Sequence, residues 1–111
     1  MKDGVVYDRY PSNKVYFNAI VKRSDIERDS LVLEIRGNKY PLSWDNGIRL
    51  TDFNYGVYQN TYSTVLTIDG DFEYKYVIKD IATGRVIWEG LPNNSNRYGK
   101  SNSTYYDLTL F

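Results

Sequence analysis

The sequence contains no cysteine and no histidine. Without cysteine the chain has neither disulfides nor thiolate metal sites, although export stays open because secreted domains can lack disulfides. Without histidine it lacks the commonest general base near neutral pH and the commonest metal ligand. These two absences disfavour an enzyme or a metalloprotein.

Long apolar runs and an excess of charge of one sign are also missing. No segment approaches the roughly 20 apolar residues that a membrane-spanning helix needs, and the start, Met1-Lys2-Asp3-Gly4, is not that of a signal peptide. Basic and acidic residues balance at 14 each. We therefore expect neither nucleic acid nor a membrane as partner, and a neutral ligand fits the balance better.

Motifs of the common enzyme families are absent as well. The sequence has no Gly-x-Gly-x-x-Gly, no P-loop and no Gly-x-Ser-x-Gly elbow. Two carboxylate pairs, Asp69 with Asp71 and Asp25 with Glu27, have the residue type used in glycoside hydrolysis, but they lie in turn and surface segments. We expect a non-catalytic protein with no cofactor and no metal.

What the chain has in abundance is aromatic residues: 12 tyrosines, four phenylalanines and two tryptophans in 111 residues. This composition favours β-structure, and long helix-period patterns are missing. The length suits one domain with one core. We expect a lead-in segment at residues 1–13, with a short strand near residues 5–7, and a single domain at residues 14–111.

Seven segments have strand composition and are separated by turn signals: residues 15–21, 31–36, 48–50, 57–68, 72–79, 86–88 and 105–111. They predict an immunoglobulin-like antiparallel β-sandwich of about seven to eight strands, with an OB-type barrel as the alternative. The Asp69-Gly70 turn predicts that the fourth, fifth and sixth segments form a meander. Residues 51–56 are predicted to be a loop.

The most informative stretch is residues 72–89. Apolar or aromatic side chains alternate with polar ones, which indicates a half-buried strand with Lys75 on its outer face. The turn Ala82-Thr83-Gly84 supplies a glycine that tolerates positive φ. The predicted hairpin brings Lys75 and Trp88 near one another.

This stretch resembles the starch-binding domains of carbohydrate-binding module family 20. The similarity rests on Phe72-Glu73-Tyr74-Lys75-Tyr76, Trp88-Glu89, Pro92-Asn93 and Asn96-Arg97, and on a second motif at Gly37, Leu42-Ser43-Trp44-Asp45 and Leu50. It extends over most of the chain from about residue 15, although its motifs are concentrated towards the C-terminus. The loop that contains Trp44 is about one residue shorter than usual.

The resemblance implies roles for particular residues. Trp44 and Trp88 would form the binding surface for α-1,4-glucan, Lys75 would donate hydrogen bonds to glucose hydroxyls, and one asparagine would use its amide. Alignment on Pro-Asn selects Asn93, which we favour slightly, whereas alignment on Asn-Arg selects Asn96. Glu89 is either a further acceptor or a solvated turn carboxylate.

Many starch-binding domains have a second site that is built from tyrosines. Tyr55 occupies the position of one such tyrosine, but Ile26, Glu27 and Arg28 stand where the other is expected. A full second site is therefore not expected.

The physical basis of the main site is stacking. A pyranose ring presents a face of polarised C–H groups to a flat indole, while its hydroxyls stay hydrogen-bonded at the rim. The opposing interpretation is that Trp88 is the buried tryptophan common in immunoglobulin-type sandwiches and that Trp44 is tucked over the end of the sandwich.

These observations lead to one preferred function and one alternative. We expect a carbohydrate-binding module for starch, glycogen or a related α-glucan, which works as an accessory to a catalytic or anchoring domain in the same polypeptide. Its expected location is extracellular or at the cell surface, as part of a larger secreted protein, with the cytoplasm as the other possibility. The alternative is a structural or protein-interaction sandwich without sugar binding.

Overall fold

The computed structural model describes residues 13–53 and 57–111. This part of the chain contains nine β-strands and two short 3-10 turns, at Arg23–Asp25 and Pro92–Asn94. The strands are β1 (Lys14–Lys22), β2 (Leu31–Gly37), β3 (Ile48–Arg49), β4 (Thr51–Asp52), β5 (Gln59–Thr67), β6 (Asp71–Asp80), β7 (Val86–Trp88), β8 (Arg97–Lys100) and β9 (Ser103–Leu108).

The strands form two sheets, which confirms the predicted all-β sandwich. The first sheet has the order β4-β5-β1-β9, and the second has the order β3-β2-β6-β7 with β8 also paired to β6. Every pair is antiparallel except β1 with β9, which is parallel. The sandwich is thus dominated by antiparallel pairing without being purely antiparallel.

Two predictions about connectivity are wrong. β5 and β6 do not pair in a meander, because β5 belongs to the first sheet and β6 to the second. The turn between them, in which Gly70 has φ of +78°, carries the chain across the core, with Ile68 and Phe72 buried on either side of it. Thr51–Asp52, predicted to lie in a loop, is a short strand that pairs with β5. The predicted strand near residues 5–7 lies outside the described residues.

The core lies between the two sheets and follows the alternation of the strands. Val15, Phe17, Ala19 and Val21 of β1 are fully buried, and the inward residues of β6 face them. The Phe17 ring meets the Tyr74 ring edge-on, with 5.0 Å between centroids. Each large apolar side chain buried in this way contributes about 1.5–3 kcal/mol. The core fixes which side of β6 faces outward, and that side carries the site.

A hydrogen-bond network closes one side of the core. Tyr74 and Tyr76 donate their hydroxyls to Oδ2 of Asp107, at 2.7 and 2.8 Å. Burial, with the nearby Asp107 carboxylate, raises the pKa of both tyrosines well above the usual value, so both stay neutral donors at physiological pH. Nη1 of Arg97 lies 3.6 Å from the other oxygen of Asp107. The network fixes the inward face of β6 against β9.

Candidate functional site

The site lies on the outer face of the second sheet. Tyr74 and Tyr76 point into the core, so Lys75 between them points outward. On one edge of β6, Arg36 pairs with Lys75, and on the other edge Trp88 pairs with Val77. The register therefore brings Arg36, Lys75 and Trp88 onto one outer surface.

The loop at residues 38–47, which joins β2 to β3, brings Trp44 to the same surface. Asn38 anchors the start of the loop to β6, because its backbone N–H donates to the Glu73 carbonyl at 3.1 Å and its Oδ1 accepts from the Glu73 N–H at 2.8 Å. Leu42 is buried in the core and holds the middle of the loop. A side chain at Gly37 would collide with Leu42 and the Glu73 carbonyl, so the close approach requires glycine.

Trp44 and Trp88 lie side by side on the outside of the sandwich. Their ring centroids are 6.2 Å apart and their planes meet at 46°. Trp88 is 42% exposed, and Trp44 is half-buried. Neither indole belongs to the core cluster. The two rings thus present two tilted flat faces on one outer surface.

Arg36 contacts both tryptophan residues and was not predicted from the sequence as part of the site. Its guanidinium carbon lies 5.4 Å from the centroid of the Trp88 ring, within cation–π range. Its Nη1 donates to the Trp44 carbonyl at 3.1 Å, and its Nη2 pairs with Oε1 of Glu34 at 3.3 Å. One buried arginine thus contacts both tryptophan residues. No sequence signal marks it, because its place opposite Lys75 depends on the long-range pairing of β2 with β6.

Lys75 points outward as predicted, but it is covered rather than exposed. Only 8% of its surface is accessible. Its ammonium group forms no hydrogen bond or ion pair with residues 13–53 or 57–111. Neighbours therefore cover its stem while its three donors are left unused by the described chain.

Both candidate asparagines lie between β7 and β8. Asn93 is exposed in the 3-10 turn, at φ of +59°, a conformation that asparagine tolerates better than most residues. Asn96 directly precedes β8 and donates its amide to Oε1 of Glu73 at 3.0 Å. The amide of Asn96 is therefore held in one orientation by Glu73, while the amide of Asn93 is the more accessible to a ligand.

Glu89 is neither a sugar acceptor on the surface nor a solvated turn residue, and both predictions for it are wrong. It is 2% exposed. Its Oε1 accepts from the backbone N–H of Tyr76 and from Nε of Arg97, both at 3.1 Å. Its Oε2 accepts from Nη2 of Arg97 at 2.8 Å and from the Leu110 N–H at 3.0 Å. Because Trp88 points outward, the next residue along the strand turns inward.

The possible second site is not assembled by the described residues. Tyr55 lies outside them. Ile26, which stands near the position expected for the partner tyrosine, is 6% exposed and packs in the core. Residues 13–53 and 57–111 contain no group of three acidic residues that could hold a metal ion. Within the same ranges, no helix has the length and apolar character needed to cross a membrane.

The fold matches solved structures at low sequence identity. A glycoside hydrolase family 15 glucoamylase from Hypocrea jecorina aligns with a TM-score of 0.62 and 18% identity, over 92% of this chain and 18% of that chain. A gamma-CGTase from the alkalophilic Bacillus clarkii aligns with a TM-score of 0.58 and 19% identity, over 88% of this chain and 15% of that chain. These likenesses show a shared fold. No protein-family model and no curated protein sequence matches this chain.

The present chain spans less than a fifth of the length of either neighbour. It therefore corresponds to one small part of each of those larger proteins.

Proposed function

We propose that this chain is a non-catalytic carbohydrate-binding module for starch, glycogen or a related α-glucan. The observation that carries the proposal is the pair of outward-facing indoles, Trp44 and Trp88, with ring centroids 6.2 Å apart. Each offers a flat, electron-rich face to the C–H face of a glucose ring. The polysaccharide would lie across both plates.

The arrangement is hard to explain as a structural feature alone. The chain has only two tryptophans, and neither fills the core. Trp88 keeps 42% of its surface in water, and the buried guanidinium of Arg36 lies over one face of its ring and orders it. An exposed, pre-ordered aromatic pair loses little conformational entropy when a ligand binds. This feature supports binding over the buried-tryptophan interpretation.

Polar groups beside the indoles supply orientation. The unused donors of Lys75 are suited to glucose hydroxyls, and Asn96 or Asn93 adds an amide that both donates and accepts. Because glucose hydroxyls give up good contacts with water, we expect a dissociation constant between micromolar and millimolar, which corresponds to roughly 4–8 kcal/mol.

A larger parent protein follows from the same proposal. The structural neighbours are, by name, a glucoamylase and a cyclodextrin glucanotransferase, and this chain corresponds to a small share of each. By analogy, the module would hold glucan close to a catalytic or anchoring domain of its own polypeptide, in a secreted or cell-surface protein. The module itself would perform no chemistry.

A second candidate, a protein-interaction sandwich, is favoured by the outer face of the first sheet. The register puts Tyr16, Val65, Tyr106 and Leu108 on that face, and all four are between 44% and 75% exposed. Apolar side chains grouped in this way are typical of surfaces that pack against another domain. This face is opposite the indoles, so the two functions are compatible.

Sedimentation with granular starch tests the proposal. We expect the wild-type chain to leave the supernatant with starch, to return on addition of maltoheptaose, and to stay in the supernatant with cellulose. Retention on another polysaccharide, with maltoheptaose unable to compete, would mean that the ligand class is wrong. A wild-type chain that stays in solution with starch and with every other polysaccharide tested would leave only the protein-interaction candidate.

A further inference from the structure

The outer face of the second sheet continues beyond the tryptophan pair, along one edge of β6. β2 pairs with one edge of β6, and both β7 and β8 pair with the other. Trp88 on β7 is opposite Val77, and Tyr98 on β8 is opposite Glu73. Because Glu73 and Val77 share the outward phase of β6, Trp88 and Tyr98 point to the same side of the sheet.

The spacing leaves room for several sugar rings. Glu73 and Val77 are four residues apart, which is about 13 Å along a strand that rises about 3.3 Å per residue. Lys75 lies midway between Glu73 and Val77. Asn96 lies beside Lys75, because it directly precedes Arg97, which pairs with Tyr74. Trp88, Asn96 and Tyr98 thus form a row beside the outward residues of β6.

Tyr98 has the properties of a stacking residue. It is 72% exposed, and its hydroxyl forms no hydrogen bond with the described part of the chain. Its ring therefore stands beside open space and contributes little to the packing of the sandwich.

We propose that Tyr98 is a third stacking residue, which binds glucose units further along a chain already held by Trp44 and Trp88. The inference rests on the proposed α-glucan function. Between the two aromatic positions, Lys75, Asn96 and the Glu73 carboxylate face the intervening sugar hydroxyls. The site would then select long glucan chains over disaccharides.

The test compares maltose with maltoheptaose by isothermal titration calorimetry or NMR titration. We expect Tyr98→Ala to weaken the binding of maltoheptaose about three- to tenfold, the value of one aromatic contact, and to leave the binding of maltose unchanged. Tyr98→Phe keeps the ring and should retain the wild-type affinity for both sugars. Thermal unfolding should be the same for all of these proteins, because the side chain is exposed.

The matched control is Tyr106→Ala. Tyr106 is 75% exposed on β9, at the outer face of the first sheet, and its loss should change neither affinity. Equal effects of Tyr98→Ala on maltose and maltoheptaose, or no effect on either, would overturn the extended site while leaving the tryptophan site intact. A wild-type chain that binds neither sugar would overturn the proposed function, and the extended site with it.

Discussion

Replacing Trp88 with alanine is expected to cost about 2 kcal/mol of α-glucan binding, which is roughly thirtyfold in the dissociation constant. The change removes one of the two stacking rings, so that Trp44 alone would contact the glucan. The protein should stay folded, because Trp88 lies outside the core and Arg36 keeps its bonds to Glu34 and to the Trp44 carbonyl. Calorimetric titration with maltoheptaose measures the loss.

Ile87→Ala is the matched control for this prediction. Ile87 precedes Trp88 on β7 and has nearly the same exposed fraction, 44%, but it points to the other side of the strand. Its replacement removes a similar apolar surface and should leave the affinity for maltoheptaose unchanged. Similar losses from both variants would mean that β7 matters only as a strand, and stacking on Trp88 would be refuted.

Glu89→Ala is expected to lower the free energy of unfolding by about 3–5 kcal/mol, the cost of removing one partner of a buried ion pair. The Glu89 side chain is fully buried, and its carboxylate satisfies the Arg97 guanidinium and two backbone N–H groups. Its removal takes the acceptor from the Tyr76 and Leu110 N–H groups and from Nε of Arg97, while Nη2 of Arg97 keeps its bond to the Leu108 carbonyl. Urea unfolding followed by tryptophan fluorescence gives the value.

Arg28→Ala provides the comparison for an exposed ion pair. Arg28 lies 3.5 Å from Asp80, but its side chain is 69% exposed, so its loss should cost no more than about 1 kcal/mol. A Glu89→Ala variant that loses no more stability than Arg28→Ala would show that the buried Glu89 carboxylate does not stabilise the contacts among Tyr76, Arg97 and Leu110.

Much of the second sheet was predictable, because its signal is local. The alternation of residues 72–79 identifies a strand with one buried face, and Gly84 has the positive φ, +81°, that the hairpin turn predicted. The Trp44 loop and the Trp88 strand are distant in sequence, however. Periodicity alone could not bring them together, and only the resemblance to starch-binding domains implied that they meet.

Features that depend on long-range register were missed. Arg36 belongs to an outer face on which a charged residue is ordinary, so nothing local distinguishes it as the residue that contacts both tryptophans. Glu89 follows an outward tryptophan, and alternation gives its direction, but its burial depends on Arg97 and on Leu110 at the C-terminal end. The turn at Gly70 is the same whether it joins two strands of one sheet or, as here, two sheets.

The most direct measurement is an NMR titration of the two indole N–H signals with maltoheptaose. The chain has only two tryptophans and both lie in the proposed site, so each indole signal reports on that surface and on nothing else. We predict that both signals move together and saturate with one dissociation constant between micromolar and millimolar. Indole signals that stay in place up to about 10 mM maltoheptaose would contradict glucan binding by this pair.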